Sequence, residues 1–216
     1  MESLRDILDS AAHGVFPPAD GSTTVVPQPS DRDAGVLAFT AHSVVFTDED
    51  PRWVHEAVRA VDCDGLAATM NARFLSAFME RTGRTSDTID VLTVGLPLSG
   101  EPPLTLREIE DPGHPRVVSS RRRRDDVRVW AADGGLLLLG RGVAGRLEVA
   151  VEVQEDVRHR GLGRALVGAA RQLSGGEPVW AQVSAGNARS LRAFQAAGYL
   201  PVGSEVLLSA RARRVS

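Results

Sequence analysis

The chain has 216 residues, a formal net charge of -3, 43% hydrophobic and 25% charged residues. That is ordinary globular composition with core enough for one large or two small domains, and no field that would draw nucleic acid or an anionic membrane is expected. No apolar run approaches the roughly 20 residues of a membrane span, and the single cysteine, Cys63, excludes an internal disulfide and a cysteine–histidine metal cluster. Every basic side chain is arginine, the five histidines are scattered, and MESLRDILDSAA has neither the basic start nor the apolar stretch of a secretory signal, so the cytoplasm is the expected compartment.

Taken in chain order, Leu4, Ile7, Leu8 and Ala11 predict a short amphipathic helix. Residues 23 to 26 and 36 to 40 read as strands about the loop PQPSDRDAG, with a hairpin as the expected pairing. Asp48 or Asp50, with Pro51, starts a helix that runs to about Val61. A second helix is expected over residues 65 to 81, with the apolar stripe Leu66, Met70, Phe74 and Phe78, ending near Gly83. Cys63 reads as a small buried apolar residue, His42 and His55 as structural or exposed, and residues 90 to 96 as a strand. The proline- and charge-rich stretch from 97 to 115 marks the expected boundary, giving an N-terminal α/β subdomain over 1–112, on the acceptor side, and a second domain over 113–216. The run Arg121 to Arg124, followed by Asp125 and Asp126, reads as a solvated face with its counter-charges. Beyond it, residues 127 to 131, 136 to 139 and 147 to 153 are three closely spaced strands. The turns Asp133-Gly134-Gly135 and Val143-Ala144-Gly145 predict an antiparallel meander.

The segment VAVEVQEDVRHRGLGRALVGAARQL, residues 149 to 173, carries the chemistry. An alternating strand leads into an arginine- and glycine-bearing turn that opens a helix with the face Leu162, Ala165, Leu166, Ala169, Ala170 and Leu173. A helix start offers backbone N–H groups and the positive end of a dipole. Gly161 and Gly163 let a phosphate approach that backbone, while Arg158, His159, Arg160 and Arg164 add donors and charge. His159 reads as a phosphate-side donor or a solvated side chain rather than a base.

This arrangement resembles the GCN5-related N-acetyltransferase (GNAT) family, whose signature Gln/Arg-x-x-Gly-x-Gly/Ala stands here as Arg158-His159-Arg160-Gly161-Leu162-Gly163. Downstream, VWAQVSAGNARSLRAFQAAGYLPVG places Asn187, Ser190, Phe194, Gly198 and Tyr199 in the family's register, and the resemblance covers residues 116 to 209. It implies a mixed, mostly antiparallel twisted α/β sheet with acyl-CoA N-acyltransferase topology, which the N-terminal subdomain extends or completes. It implies acetyl-CoA as co-substrate, a primary amine of an unidentified small acceptor, and a homodimer as the family's suggestion. It also implies that Val151, Glu152 and Val153 lie along the pantetheine arm, with a backbone N–H of that strand facing the growing oxyanion. Asn187 caps its helix or contacts the cofactor, and Phe194 packs on the cofactor arm or fills core. The family's usual tyrosine acid matches Phe194, and Tyr199, the one tyrosine, stands at a structural aromatic position. Where some members carry a glutamate base this chain has Gln182, which leaves Glu148 and Glu152, on one face of a strand, as candidate bases or as plain polar residues. The alternative to an enzyme is a non-catalytic acyl-CoA-binding or sensing module. An interaction domain without the cofactor fits Gly161 and Gly163 less well.

Overall fold

The computed structural model describes residues 2–210. Met1 and residues 211–216, at the outer ends of the two expected domains, lie outside them. The chain divides into two compact units. One takes the residues up to Val91 together with the chain from Gly203 onward; the other is Leu92–Val202. The chain leaves the first unit within one strand, β5 (Asp90–Gly95), and re-enters it within another, β11 (Leu200–Ala210). Residue 112, the boundary expected from composition, falls inside the second unit.

The first unit holds α1 (Leu4–Ala12), β1 (Thr23–Val26), β2 (Ala34–Phe39), β3 (His42–Phe46), α2 (Pro51–Arg59), α3 (Ala72–Thr82) and β4 (Arg84–Thr85). Helix starts follow side-chain chemistry. Ser3 and Asp6 form a reciprocal capping box on α1, Asp50 accepts from the Arg52 N–H with Pro51 in the first turn of α2, and Asn71 caps α3. The expected hairpin between β1 and β2 is not made. β1 pairs in parallel with β3, Thr23 opposite Ser43, while β2 and β3 form the antiparallel hairpin. β11 joins the other edge of β2 antiparallel, Ser204 opposite Ala38, and β4 follows on β11. Val36, Val45, Val54, Phe74, Phe78, Val206 and Leu208 close the core of this unit.

The predicted helix over 65 to 81 is interrupted. A single 3-10 turn, Ala68–Met70, precedes α3, because the Asn71 side chain caps a new helix start instead of letting the old one continue. Phe74 and Phe78 are buried as the stripe requires, Gly83 ends the helix in the left-handed conformation, and Leu66 is exposed. Cys63 is exposed too, contrary to expectation, in the loop before the 3-10 turn. His42 is buried with its ring between Asp20, Ser22 and Thr24, and His55 is exposed.

The second unit holds most of β5, then β6 (Arg107–Ile109), α4 (Pro115–Arg121), β7 (Asp125–Ala132), β8 (Gly135–Arg141), β9 (Leu147–Val153), α5 (Leu162–Gln172), β10 (Val179–Ser184) and α6 (Ala188–Ala196). Its strand order is β5-β10-β9-β8-β7-β6. The meander β7-β8-β9 is antiparallel with the two predicted turns, and β10 runs parallel to β9, with α5 as the crossover. Leu137, Leu139 and Val149 face Leu166 and Val167 of α5 and Phe194 of α6. Leu138 and Ala150 face Val117 of α4 on the opposite side. The Leu136–Leu139 run is therefore buried on both faces, which is why it does not alternate with polar residues. Trp180 is buried, with the Arg146 guanidinium 5.4 Å from its ring centre. The fold is the mixed, mostly antiparallel α/β arrangement that the sequence predicts.

Candidate functional site

The second unit opens where two parallel strands part. β9 pairs with β8 along its whole length, Leu147 to Val153, but meets β10 only at Leu147 and Glu148, opposite Val179 and Trp180. The Gln154 N–H donates to the Gly134 carbonyl at 2.9 Å, just beyond the last β8–β9 pair, Gly135–Val153. Antiparallel ladders alternate, so the even-numbered residues of β9 exchange hydrogen bonds with β8 and the peptide groups of Val151 and Val153 turn toward the open side. Two arginines already reach that edge. Arg116 Nη2 donates to the Val151 carbonyl and Arg158 Nε to the Val153 carbonyl, each at 3.2 Å.

After β9 the chain makes one 3-10 turn, Glu155–Val157, and enters the arginine–glycine turn. His159 has φ 66 and Gly161 φ 87, both left-handed, so the turn reverses sharply before α5. No side chain caps α5, and its first intrahelical bond is from the Ala165 N–H to the Gly161 carbonyl. The N–H groups of Leu162, Gly163 and Arg164 therefore lack helix partners and point out of the helix start, beside the positive dipole end. A Cβ at Gly161 would meet nothing within 4 Å, and one at Gly163 only Val153 Cγ2 at 3.7 Å. The turn is thus an open cradle for a polyvalent anion such as a pyrophosphate.

These parts line one cleft of about 590 Å³. Val151, Glu152 and Val153 form one wall; Arg158, His159, Gly161, Leu162, Gly163 and Arg164 form the turn and the start of α5; Asn187 stands just before α6 and Phe194 within it. Arg160 is exposed and does not line it. Asn187 caps α6 by accepting the Ser190 N–H at 3.1 Å. Phe194 is buried and meets Tyr199 edge-on, with ring centres 5.0 Å apart. The Tyr199 hydroxyl donates to the Val167 carbonyl at 3.1 Å, and burial pushes its phenol far above the ordinary value despite the nearby Arg171. The only tyrosine is therefore a packing residue and offers no proton to the cleft.

The two candidate bases share a face of β9, as alternation requires, yet their surroundings differ. Glu148 is buried at 2% exposure and does not line the cleft. Arg146 Nε and Arg124 Nε each donate to it at 2.8 Å, the Val143 N–H at 3.3 Å and Gln182 Nε2 at 3.2 Å. Burial pushes its pKa up, but the two guanidiniums and the Val143 N–H overcome that and hold it below the ordinary carboxylate value. A side chain at Gly142 would overlap the same carboxylate. Glu152 is exposed in the cleft wall and has no ion-pair partner among the described residues. Arg116 also lines the cleft, held in place by a short relay. Asp111 Oδ1 accepts the His114 N–H at 3.0 Å, His114 Nδ1 accepts the Arg116 N–H at 3.1 Å, and Pro115 fills the first turn of α4.

The sequence reading missed three arginines. Arg124 closes a run that looks like solvated charge, yet it turns inward to Glu148 and Gln182, while Arg121 to Arg123 stay exposed. Nothing in the pattern around Arg116 or Arg146 marks either as interior. Among the described residues no group of three or more His, Cys, Asp and Glu side chains comes together as a metal ion needs, and no helix is long and apolar enough to cross a membrane.

No protein-family model matches the chain, and no curated protein does. Solved structures similar to it include a GCN5-related N-acetyltransferase from Sphaerobacter thermophilus, at 17% identity and TM-score 0.39 over 65% of this chain and 57% of that one. The chain thus spans little over half of that structure's length. A GCN5-related N-acetyltransferase from Kribbella flavida matches at 17% identity and TM-score 0.43 over 86% of this chain and 91% of that one. A GNAT-family acetyltransferase from Colwellia psychrerythraea matches at 7% identity and TM-score 0.42, over 82% and 81%. The chain resembles these GCN5-related N-acetyltransferases in fold.

Proposed function

We propose that this chain is an N-acetyltransferase that moves an acetyl group from acetyl-CoA to a primary amine of a small acceptor. One observation carries the reading: an uncapped, glycine-opened helix start and the free edge of β9 face a single cleft. The first fits the pyrophosphate of the cofactor and the second an extended amide-bearing arm, which pairs as an added strand would. The cofactor supplies an acetyl thioester. The N–H groups of Leu162, Gly163 and Arg164 receive phosphate oxygens, and Arg158 and Arg164 balance their charge. The peptide N–H groups of Val151 and Val153 are donors for a carbonyl oxygen that gains negative charge. Glu152, rather than the buried and fully bonded Glu148, takes the proton of the acceptor's ammonium, directly or through water.

A second reading, a non-catalytic acyl-CoA sensor, draws on one fact. No tyrosine reaches the cleft, since Phe194 lines it and the Tyr199 hydroxyl is buried on α5. Thermal unfolding with acetyl-CoA tests what the readings share. At a hundredfold excess over Kd, ligand adds about 2.7 kcal/mol to the native state. The shift is expected in wild type and absent in a folded Gly163→Trp variant, whose side chain fills the cradle. No shift in wild type at millimolar ligand removes both readings. Release of free coenzyme A on addition of amines then selects the enzyme over the sensor.

A further inference from the structure

Arg116 and Glu152 are opposite charges in one cleft that do not neutralise each other. Arg116 spends Nη2 on the Val151 carbonyl, its Nε is enclosed without a hydrogen-bond partner, and no carboxylate lies within ion-pair distance among the described residues. A half-enclosed guanidinium without a counter-ion has lost hydration and gained little for it. Burial lowers its pKa most, the like charge of Arg124 adds to that, and Glu152 opposes both. Its location separates it from the anion cradle. α4 packs through Val117 on the face of β9 that carries Ala150, and strand alternation puts Glu152 on that same face. The cradle residues belong to α5, on the other side. A cation and an anion thus stand together on the side of β9 away from the expected phosphates.

We propose that the acceptor is an amino acid or similar amino carboxylate, with its ammonium at Glu152 and its carboxylate at Arg116. The proposal rests on the acetyltransferase reading and names the acceptor class for that same cleft. A zwitterion satisfies both charges at once, and its carboxylate supplies the planar anion that a guanidinium fork binds best. An amine without the carboxylate leaves Arg116 unpaired. An acid without the amine leaves Glu152 unpaired and offers nothing to acetylate.

The test follows coenzyme A release from acetyl-CoA by the full chain, with the standard amino acids and the amines that their decarboxylation gives. At least one amino acid is expected to exceed its matched amine in kcat/KM by about 100-fold or more, as sites built around a polar group reject analogues that lack it. In Arg116→Met, which keeps the aliphatic stem, that ratio is expected to fall to within about tenfold through a rise in the amino-acid KM. Arg116→Lys restores part of it, and acetyl-CoA still stabilises both variants. Matched amines as good as amino acids, or an unchanged ratio in Arg116→Met, overturn the proposal. No turnover with any acceptor, while acetyl-CoA still stabilises the chain, refutes the transferase reading instead. The zwitterion site then stands only if an amino acid stabilises wild type and not Arg116→Met, and is overturned otherwise.

Discussion

Glu148→Gln isolates the buried charge cluster at the root of the splay. The substitution keeps shape and removes one negative charge from between Arg146 and Arg124, both bonded to it at 2.8 Å. Two enclosed guanidiniums then face an amide. Removing one partner of a buried ion pair costs about 3–5 kcal/mol, because the remaining charge is desolvated without compensation. For a chain of this size each kcal/mol shifts Tm by about 2–4 °C, so a fall of roughly 6–20 °C is expected at pH 7 by calorimetry or circular dichroism. The pH dependence has a definite sign. The Glu148 pKa is lower folded than unfolded, so its contribution is complete above the unfolded value, 4.5, and is lost as pH falls through the lower folded value. The gap between wild type and variant is therefore widest above pH 4.5 and narrows below it. Replacing the cluster as a whole, with Glu148→Leu, Arg124→Met and Arg146→Met together, should recover much of the loss. A Glu148→Gln Tm within about 2 °C of wild type at pH 7 would refute the account of the cluster.

Three further outcomes follow from the cleft. Glu152→Gln should lower kcat by about 100-fold or more while leaving the acetyl-CoA thermal shift in place, the signature of a lost proton acceptor; unchanged kcat removes Glu152 from that role. Tyr199→Phe should cost about 0.5–1.5 kcal/mol of stability, measured by urea titration, for the lost bond to the Val167 carbonyl, and leave kcat as it was. A large drop in kcat there would mean that the hydroxyl reaches the reaction. Gly161→Val forces a β-branched residue to φ 87, costing at least about 1–2 kcal/mol, and should raise the acetyl-CoA concentration needed for half the thermal shift. An unchanged half-shift concentration would mean that the cradle does not depend on the turn's conformation.

The second unit was legible because its signals are local. Alternation along β9, a helical period along α5 and glycines between them lie within one stretch of about 25 residues, and each element's pattern survives whatever it packs against. The first unit was less so. β1 skips its sequence neighbour β2 to pair in parallel with β3, and parallel pairing leaves no turn signature. The stripe through Leu66 continued on paper past Asn71, whose side chain prefers to cap a new helix. At the site, residue type and spacing located the glycine turn and the uncapped start of α5. They could not separate Glu148 from Glu152, whose pattern on the strand is the same. The difference lies in Arg124 and Arg146, brought to Glu148 by the connection between α4 and β7 and by the turn before β9.

The first unit is completed by residues on both sides of the second. β2 lies beside β11, and the ribosome makes Ala38 long before Ser204. At roughly 5–20 residues per second, the wait is on the order of ten seconds or more. The whole stretch from Leu92 to Val202 emerges in that interval and can collapse on its own local contacts. Throughout it, one edge of β2, with Val36 and Leu37, has no native neighbour, and unpaired apolar edges invite association with other chains. Nascent chains of this protein should therefore depend on chaperones during elongation past the β2–β3 hairpin, and lose that dependence when β11 clears the exit tunnel.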